Sequence, residues 1–521
     1  MALARLWYDI ARRVRYNSYV LNAMRFPDAG RRPSGWRQIA VLLFLVCAAW
    51  LAFAWALLAQ HRSLHSRAYD LGYFDQVIWN TAHGRWFETN FVPFNFLGEH
   101  FSPVLLVFAA LYRLGGNIET VLFLQAGAAA LAAIPLFLGT RRVLASETAA
   151  LLVAVAYLLA AELHAALLFD FHPELFGIAA VFSTFALLVH RRPGWALAAL
   201  LPVFLLKEDA LMVGLGYAWL FWHFGYRRHA SALLGGTLLY GALVLGWLMP
   251  AIRGDAPSLM DRYAYLGESL PQIIGSALLH PEVIWAQLST AVAREALTRL
   301  LAGTALLPLA SPAALLALPV TAANLLSTHE VQSGLYLHYV TYPLALTFVG
   351  AVLGAASLAR AGGCAARGWA ALRVPPRARV VLLAALLLGT QTAAWASRGP
   401  FGGAFDLSVY RITPHVAAVQ RVIAHIPPDA PLSAQSNLLP HLSRRAWLRD
   451  FPRLDGVDFV LVDQKTWGLW QTTGEIYQRV LTDLPSLGFC LIYEDDGVQL
   501  YTRQGVCPAE GPAVPVVGQP R

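Results

Sequence analysis

From Ile39 to Ala59 every side chain is apolar, with no charge, amide or hydroxyl. As an α-helix rising 1.5 Å per residue, such a run reaches about 30 Å, the thickness of a bilayer's hydrocarbon core. Inside lipid the backbone can satisfy its own polar groups only in a helix or a closed barrel, and an unbroken apolar run without alternation selects the helix. The run is too long for a signal-peptide core, so it is expected to be an uncleaved first span. Further apolar segments follow near residues 118–138, 148–168, 175–189, 195–206, 210–224, 231–251, 298–310, 312–326, 339–359 and 380–396. The expected fold class is therefore an α-helical polytopic membrane protein with about 11 transmembrane helices. Composition agrees: 57% of residues are hydrophobic and 13% charged, against roughly 25% charged in soluble domains, which excludes a soluble enzyme.

Charge placement sets the expected orientation. The formal net charge is +8, and the basic residues are almost all arginine, with Lys207 and Lys465 the two lysines. Arginines crowd the first 37 residues and recur as Arg141-Arg142, Arg191-Arg192, Arg227-Arg228 and the set Arg360, Arg367, Arg373, Arg377 and Arg379. Cytoplasmic loops carry such an excess, so residues 1–37 form a cytoplasmic start and 38–396 the multi-spanning domain. Basic loops between apolar blocks are not a nucleic-acid footprint, and no nucleic-acid partner is expected. The expected location is the cell inner (plasma) membrane. An odd number of spans then leaves residues 397–507 outside, as an extracytoplasmic domain.

That region is less apolar. Asp458–Asp463, Phe489–Tyr493 and Val498–Tyr501 read as short strands, with a helical stretch from Gly474 to Leu484, which predicts a small α/β domain. The end, 508–521, is rich in Pro, Gly and Val and is expected to be disordered. Of Cys47, Cys364, Cys490 and Cys507, with no CxxC spacing, only the last two are placed to pair. No glycine-rich phosphate loop supports ATP-driven transport.

The outer connections collect carboxylates, histidines and aromatics: Asp70, Asp75, Glu88 and Glu99 in the outer loop 60–102, then Phe-Asp-Phe-His-Pro-Glu at 169–174, then residues 327–338 with His329 and His338. Tyr69-Asp-Leu-Gly-Tyr-Phe-Asp-Gln-Val-Ile-Trp-Asn-Thr-Ala-His-Gly84, Gly98-Glu-His-Phe-Ser-Pro103, Phe169–Glu174, Lys207-Glu-Asp209, Asn324–Ser327 and His338-Tyr339 resemble a prokaryotic polytopic membrane family catalogued as domain of unknown function 2079. More distantly, the first outer loop is similar to that of lipid-phosphate-sugar-dependent (GT-C type) membrane glycosyltransferases: an acid just past the first helix, a Gly fourteen positions later at Gly84, and a Pro-containing entry to an apolar segment at Ser102-Pro103. Leu71 stands where that superfamily has a second acid, and its Lys-Pro-Pro lysine is missing. The similarity implies a GT-C-like fold, a polyprenyl-phosphate lipid donor, and an envelope glycan, lipid or protein acceptor at the outer face.

Transfer from such a donor needs a carboxylate to take the acceptor's proton. Asp70 and then Asp75 are the catalytic candidates; the competing account makes them solvated loop acids or helix caps. Asp170, His172 and Glu174 lie in a short turn at membrane depth, where ionisable groups are functional candidates. Glu99 and His100 could join them around a divalent cation, the one candidate cofactor, although no metal spacing is complete. Lys207, Glu208 and Asp209 interrupt an otherwise apolar stretch, and in so arginine-rich a chain the lysine suggests a compact ammonium placed against a phosphate. His338 and Tyr339 are substrate-binding candidates by the resemblance, while His329, Tyr336 and their neighbours also fit interface anchors. Gln435, Asn437 and His441 mark the outer domain as a cover or acceptor-recognition module. Two rival functions stand beside it: a transporter or flippase whose pathway the same buried charges line, and a non-catalytic envelope scaffold, of which the C-terminal region would be the working part.

Overall fold

The structure, a computed structural model, describes residues 35–254, 258–360, 363–466 and 474–504. Most of the Arg-rich start, the stretch from Pro508 to Arg521, and Cys507 lie outside these residues. Cys490 is disulfide-bonded and Cys47 is a free, exposed thiol. The chain divides into two compact units.

The first unit comprises residues up to 53, 100–102 and 125–405 and is helical. Among the described residues of the whole chain, five helices are long and apolar enough to cross a membrane: Trp36–Arg62, Ile118–Leu144, Arg227–Arg253, Glu330–Arg360 and Pro376–Arg398. A sixth is available if Glu147–Leu158 and Ala161–Leu167, bent by 44°, count as one broken span. At that bend the ring of His164 reaches back, its Nε2 lying 2.7 Å from the Leu158 carbonyl oxygen. It supplies a partner that the interrupted helix cannot. Glu174–Val189, Pro193–Leu205 and Ala210–His223 are shorter apolar helices. Where the apolar pattern suggests spans at 298–310 and 312–326, the chain breaks after Gly303 into short 3-10 turns and the helix Leu318–Leu325. The cause is local: Ala305 and Leu306 take positive φ, and Pro308, Pro312 and Pro319 each remove a helical donor.

Helix Thr341–Arg360 is the hub of this unit and is buried along nearly its whole length. It is built largely of Ala, Gly, Thr and Ser, whose small side chains let neighbours approach closely. A Cβ at Gly354 would overlap the carbonyl oxygen of Leu307, and one at Gly350 would press on Pro308. Arg398, at the end of the last long helix, is ion-paired with buried Glu162.

The second unit joins residues 54–99 and 103–124 with everything described after 406. It holds a five-stranded mixed sheet of β1 (Leu432–Ala434), β2 (Leu448–Asp450), β3 (Phe459–Asp463), β4 (Phe489–Asp495) and β5 (Val498–Arg503), in the order β2-β1-β3-β5-β4. Strand β1 runs parallel to both β2 and β3, while β5 is antiparallel to β3 and β4. Side chains alternate faces along a strand. Thus Leu461 joins Leu432, Leu500 and the Val416, Val419 and Val422 stripe of helix Pro414–Ile423, while Val460 and Val462 face Phe489, Tyr501 and Tyr477 of helix Gly474–Asp483. Buried on both faces, β3 reads as an unbroken apolar run. The β4–β5 turn places Asp496 and Gly497 at positive φ, the backbone that an Asp-Gly hairpin favours. The outer loop is part of this core: Leu64 and Ala68 are buried in it, and Tyr69 and Phe91 pack against it.

Candidate functional site

In the first unit the turn between helices Ala161–Leu167 and Glu174–Val189 is set by one buried amide. Gln125 donates Nε2 to the Asp170 carbonyl at 2.7 Å and accepts from the His172 N–H at 2.8 Å. Asp170 itself takes a left-handed φ of 57°, a conformation Asp tolerates better than most residues. The turn thereby delivers Glu174, 2% exposed, to the start of its helix, where Lys207 Nζ donates to its Oε1 at 2.6 Å. The lysine sits in the break between Pro193–Leu205 and Ala210–His223.

Its neighbours are fixed in turn. Glu208 accepts from the Phe101 N–H at 2.9 Å and lies 3.3 Å from His100 Nδ1, and Tyr240 donates its hydroxyl to the Lys207 carbonyl at 3.2 Å. The rings of His172 and His338 stack at 4.0 Å, 12° from parallel, with Phe169 stacked at 5.4 Å from His172 and the Tyr339 ring tilted by 35° against His338 at 4.1 Å. Arg262 closes the group by donating to Gln332 Oε1 at 2.7 Å and to the Tyr339 hydroxyl at 3.0 Å. Nine of the ten candidate binding residues, His100, Asp170, His172, Glu174, Lys207, Glu208, Asp209, His338 and Tyr339, thus fall in one unit and are linked there. Glu99 falls in the other.

Polar capacity is left over in this cluster. Among the described residues, Glu174 Oε2, Asp209 Oδ1, His338 Nδ1 and the Tyr342 hydroxyl are buried without a hydrogen-bond partner. Native proteins pair buried polar atoms almost without exception, so a group of unpaired ones calls for an explanation such as a ligand. Lys207 spends one of its three N–H donors on Glu174. Among the described residues, no three His, Cys, Asp or Glu side chains are arranged to hold a metal ion.

Asp70 and Asp75 belong to the second unit. Asp70 lies in the π-helical turn Ala68–Gly72, closed by a Gly72 N–H to Arg67 carbonyl bond of 3.2 Å; isolated π-turns are common at functional sites. Asp75, on the following helix Tyr73–Ala82, is 1% exposed. Its carboxylate accepts from the hydroxyls of Tyr112 and Ser443, and Arg444 Nε lies 3.8 Å away. Burial pushes the Asp75 carboxyl up, against the opposing pull of Arg444 and the two hydroxyls. Gln435 and Asn437 both bond Thr466, and His441 stacks on His61 at 4.2 Å.

The profile of the family described as "Predicted membrane protein (DUF2079)" matches residues 60–500. The chain belongs to this family. Membership makes it an integral membrane protein, in agreement with its apolar helices. No curated protein sequence matches it. Among solved structures it is similar to ArnT from Cupriavidus metallidurans bound to undecaprenyl phosphate, at 13% identity and a TM-score of 0.49, covering 91% of this chain and 98% of that one. The apo form of the same protein gives 14% identity and a TM-score of 0.48 over the same shares.

Gln125, Arg262, Tyr240 and Tyr342 of this cluster escaped sequence reasoning, the two tyrosines because each stands in an apolar helix as one aromatic among others. Gln125 left a signal, a lone amide within an apolar segment, which is a functional or architectural marker at membrane depth. Arg262 left none, because it stands in a polar stretch with other charges.

Proposed function

We propose that this DUF2079 protein transfers a sugar from a polyprenyl-phosphate donor to an envelope acceptor at the extracytoplasmic face of the cell inner membrane, with its N-terminus in the cytoplasm. The observation that carries the reading is the buried ionic cluster around Lys207 with its unpaired acceptors. The two N–H donors that Lys207 keeps suit a phosphate oxygen, and the free oxygens of Glu174 and Asp209 suit sugar hydroxyls. In such a transfer the acceptor hydroxyl gives its proton to a carboxylate, its oxygen forms a bond to the anomeric carbon, and the bond from that carbon to the donor phosphate breaks, polyprenyl phosphate leaving with the electron pair. Asp70 is the candidate for that carboxylate by its place in the loop after the first long helix.

The test is transfer of labelled sugar from synthetic polyprenyl-phosphate donors by the full chain in nanodiscs, together with a comparison of lipid-linked and surface glycans in cells with and without the gene. Asp70→Asn keeps the shape and removes the base, so transfer should fall to background while the variant purifies as a folded protein. Full activity in that variant would sink the assignment. One observation favours a transporter instead: the 44° break between Glu147–Leu158 and Ala161–Leu167, since interrupted helices shape many transport sites. Movement of labelled lipid across the bilayer without covalent transfer would select that reading.

A further inference from the structure

The second unit carries a cavity that the scheme above does not use. It has a volume of about 680 Å³ and lies between the outer-loop stretch 88–95, with Asn80, and residues 446–453 around β2. Small-molecule sites generally enclose roughly 300–1,000 Å³. From its lining the geometry points to a binding site for a neutral saccharide chain, the class of acceptor this protein recognises; only the word acceptor rests on the transferase reading.

The argument begins with Trp447, which is 38% exposed and held rigidly. Its indole N–H donates to the Asp455 carbonyl at 3.2 Å, and Arg449 lies over the ring at 4.3 Å. Arg449 is locked by Asp455 Oδ2 at 2.8 Å and by the Asn90 carbonyl at 3.1 Å. An aromatic plate fixed in this way loses little freedom when a ligand covers it, and an indole offers a broad apolar face with a polar edge. Sugar rings present C–H faces of matching size.

Around the plate the lining mixes amides and a hydroxyl with the apolar Val92, Pro93, Phe94 and Ala446, the alternation of polar and C–H surface that a sugar ring itself presents. Asn80 donates to the Glu88 carbonyl at 2.8 Å and accepts from Arg85, while Asn95 donates to the Trp86 carbonyl at 2.8 Å and accepts from the Leu97 N–H. A primary amide has two donors and two acceptor sites. Each of these side chains holds the loop with part of its capacity and keeps one donor and one acceptor site for a ligand. Thr89 donates to Gln76 Oε1 at 3.0 Å and accepts from the Phe91 N–H at 3.2 Å, which leaves its hydroxyl oxygen one further acceptor site.

Charge narrows the ligand further. The exposed charges of the lining are of both signs, Glu88 against Arg453, and Asp455 sits 3.5 Å from Arg453 Nε as well as pairing Arg449. A nucleic acid or an acidic peptide would want one sign, and a hydrocarbon chain would leave the amides unpaired. A hydroxyl-rich neutral chain is what such a lining satisfies.

The test uses the full chain in nanodiscs, free of sugar detergents, titrated with soluble maltotetraose, mannotetraose and chitotetraose and read by saturation-transfer NMR. At least one should bind with a dissociation constant of about 0.1–10 mM. Trp447→Ala should weaken it at least about tenfold, Trp447→Phe by about threefold or less, and Trp86→Ala, outside the lining, not at all. Circular dichroism on each variant separates lost binding from lost folding, and the Phe variant supplies the answer if the Ala variant unfolds. Absence of binding by all three probes at about 50 mM, or full affinity in a folded Trp447→Ala, overturns the inference. Asp70→Asn should bind the same saccharide normally, so binding without transfer would fault the catalytic reading and leave the pocket standing.

Discussion

Removing Lys207 is the sharpest test of the buried cluster. Its ammonium and the Glu174 carboxylate are 2.6 Å apart, with side chains 11% and 2% exposed. At an effective dielectric of about 20, Coulomb's law gives this separation an attraction of roughly 6 kcal/mol. Desolvation offsets much of that in the intact pair, but deleting one partner leaves the other charge buried and alone, which typically costs about 3–5 kcal/mol. Lys207→Met should therefore lower the folded-to-unfolded ratio by at least about a hundredfold, and Glu174→Gln by a similar factor. The double variant, in which neither member of this pair is left without the other, should recover much of the loss. Thermal unfolding in detergent, followed by size-exclusion of the surviving fraction, measures all four forms of the cycle. Two single variants as stable as the parent, or a double variant that merely adds their losses, would show that the pair is not a coupled buried unit.

Other outcomes follow from particular contacts. Gly177→Ala places a Cβ 2.5 Å from the Tyr342 hydroxyl and should cost about 1–3 kcal/mol, whereas Gly194→Ala, with nothing within 4 Å, should be silent in the same melting assay. His415 lies between Asp463 at 2.8 Å and Asp496 at 2.9 Å; burial opposes its charge, but the two carboxylates prevail and hold its pKa above the ordinary value. Its contribution is then full below about pH 6.5 and lost as pH rises through the raised value, so the stability advantage of the parent over His415→Gln should shrink across that window. Burial pushes the Asp450 carboxyl up to about 7, against a weaker pull from Arg453. Its ionisation penalises the folded state as pH climbs from about 4 to 7; Asp450→Asn should match the parent near pH 4 and exceed it above pH 7 in urea titrations.

Apolar length and turn chemistry made the long helices legible, and the short β-like runs at β3, β4 and β5 made most of the second unit's sheet so. Strands β1 and β2 were not legible. Leu-Ser-Ala and Leu-Arg-Asp are three residues each, too short to show a period, and they exist because β3 offers β1 an edge for parallel pairing and β1 offers one to β2. The shortfall around 298–326 has a related origin, since hydropathy counts apolar residues while proline and positive φ decide whether they stay helical. At the site, the charged candidates announced themselves by their cost in an apolar stretch. Their partners did not, because no local pattern tells that Gln125 will meet a turn 45 positions away or that Ser443 will reach Asp75 across 368.

That last span has a consequence in time. The outer loop from Leu64 to Phe91 shares its core with Val416 to Leu500, so it emerges from the ribosome long before its partners do. Between Leu124 and Asp406, the inner edges of the two stretches that make up this unit, lie some 280 residues, about 15–60 s of synthesis at usual rates. Through that interval the loop's apolar residues lack the partners that bury them in the finished unit. Assembly of this unit must wait for the last segment to be made, and a chain halted before Asp406 would hold every residue of the loop and none of the sheet that gives it shape.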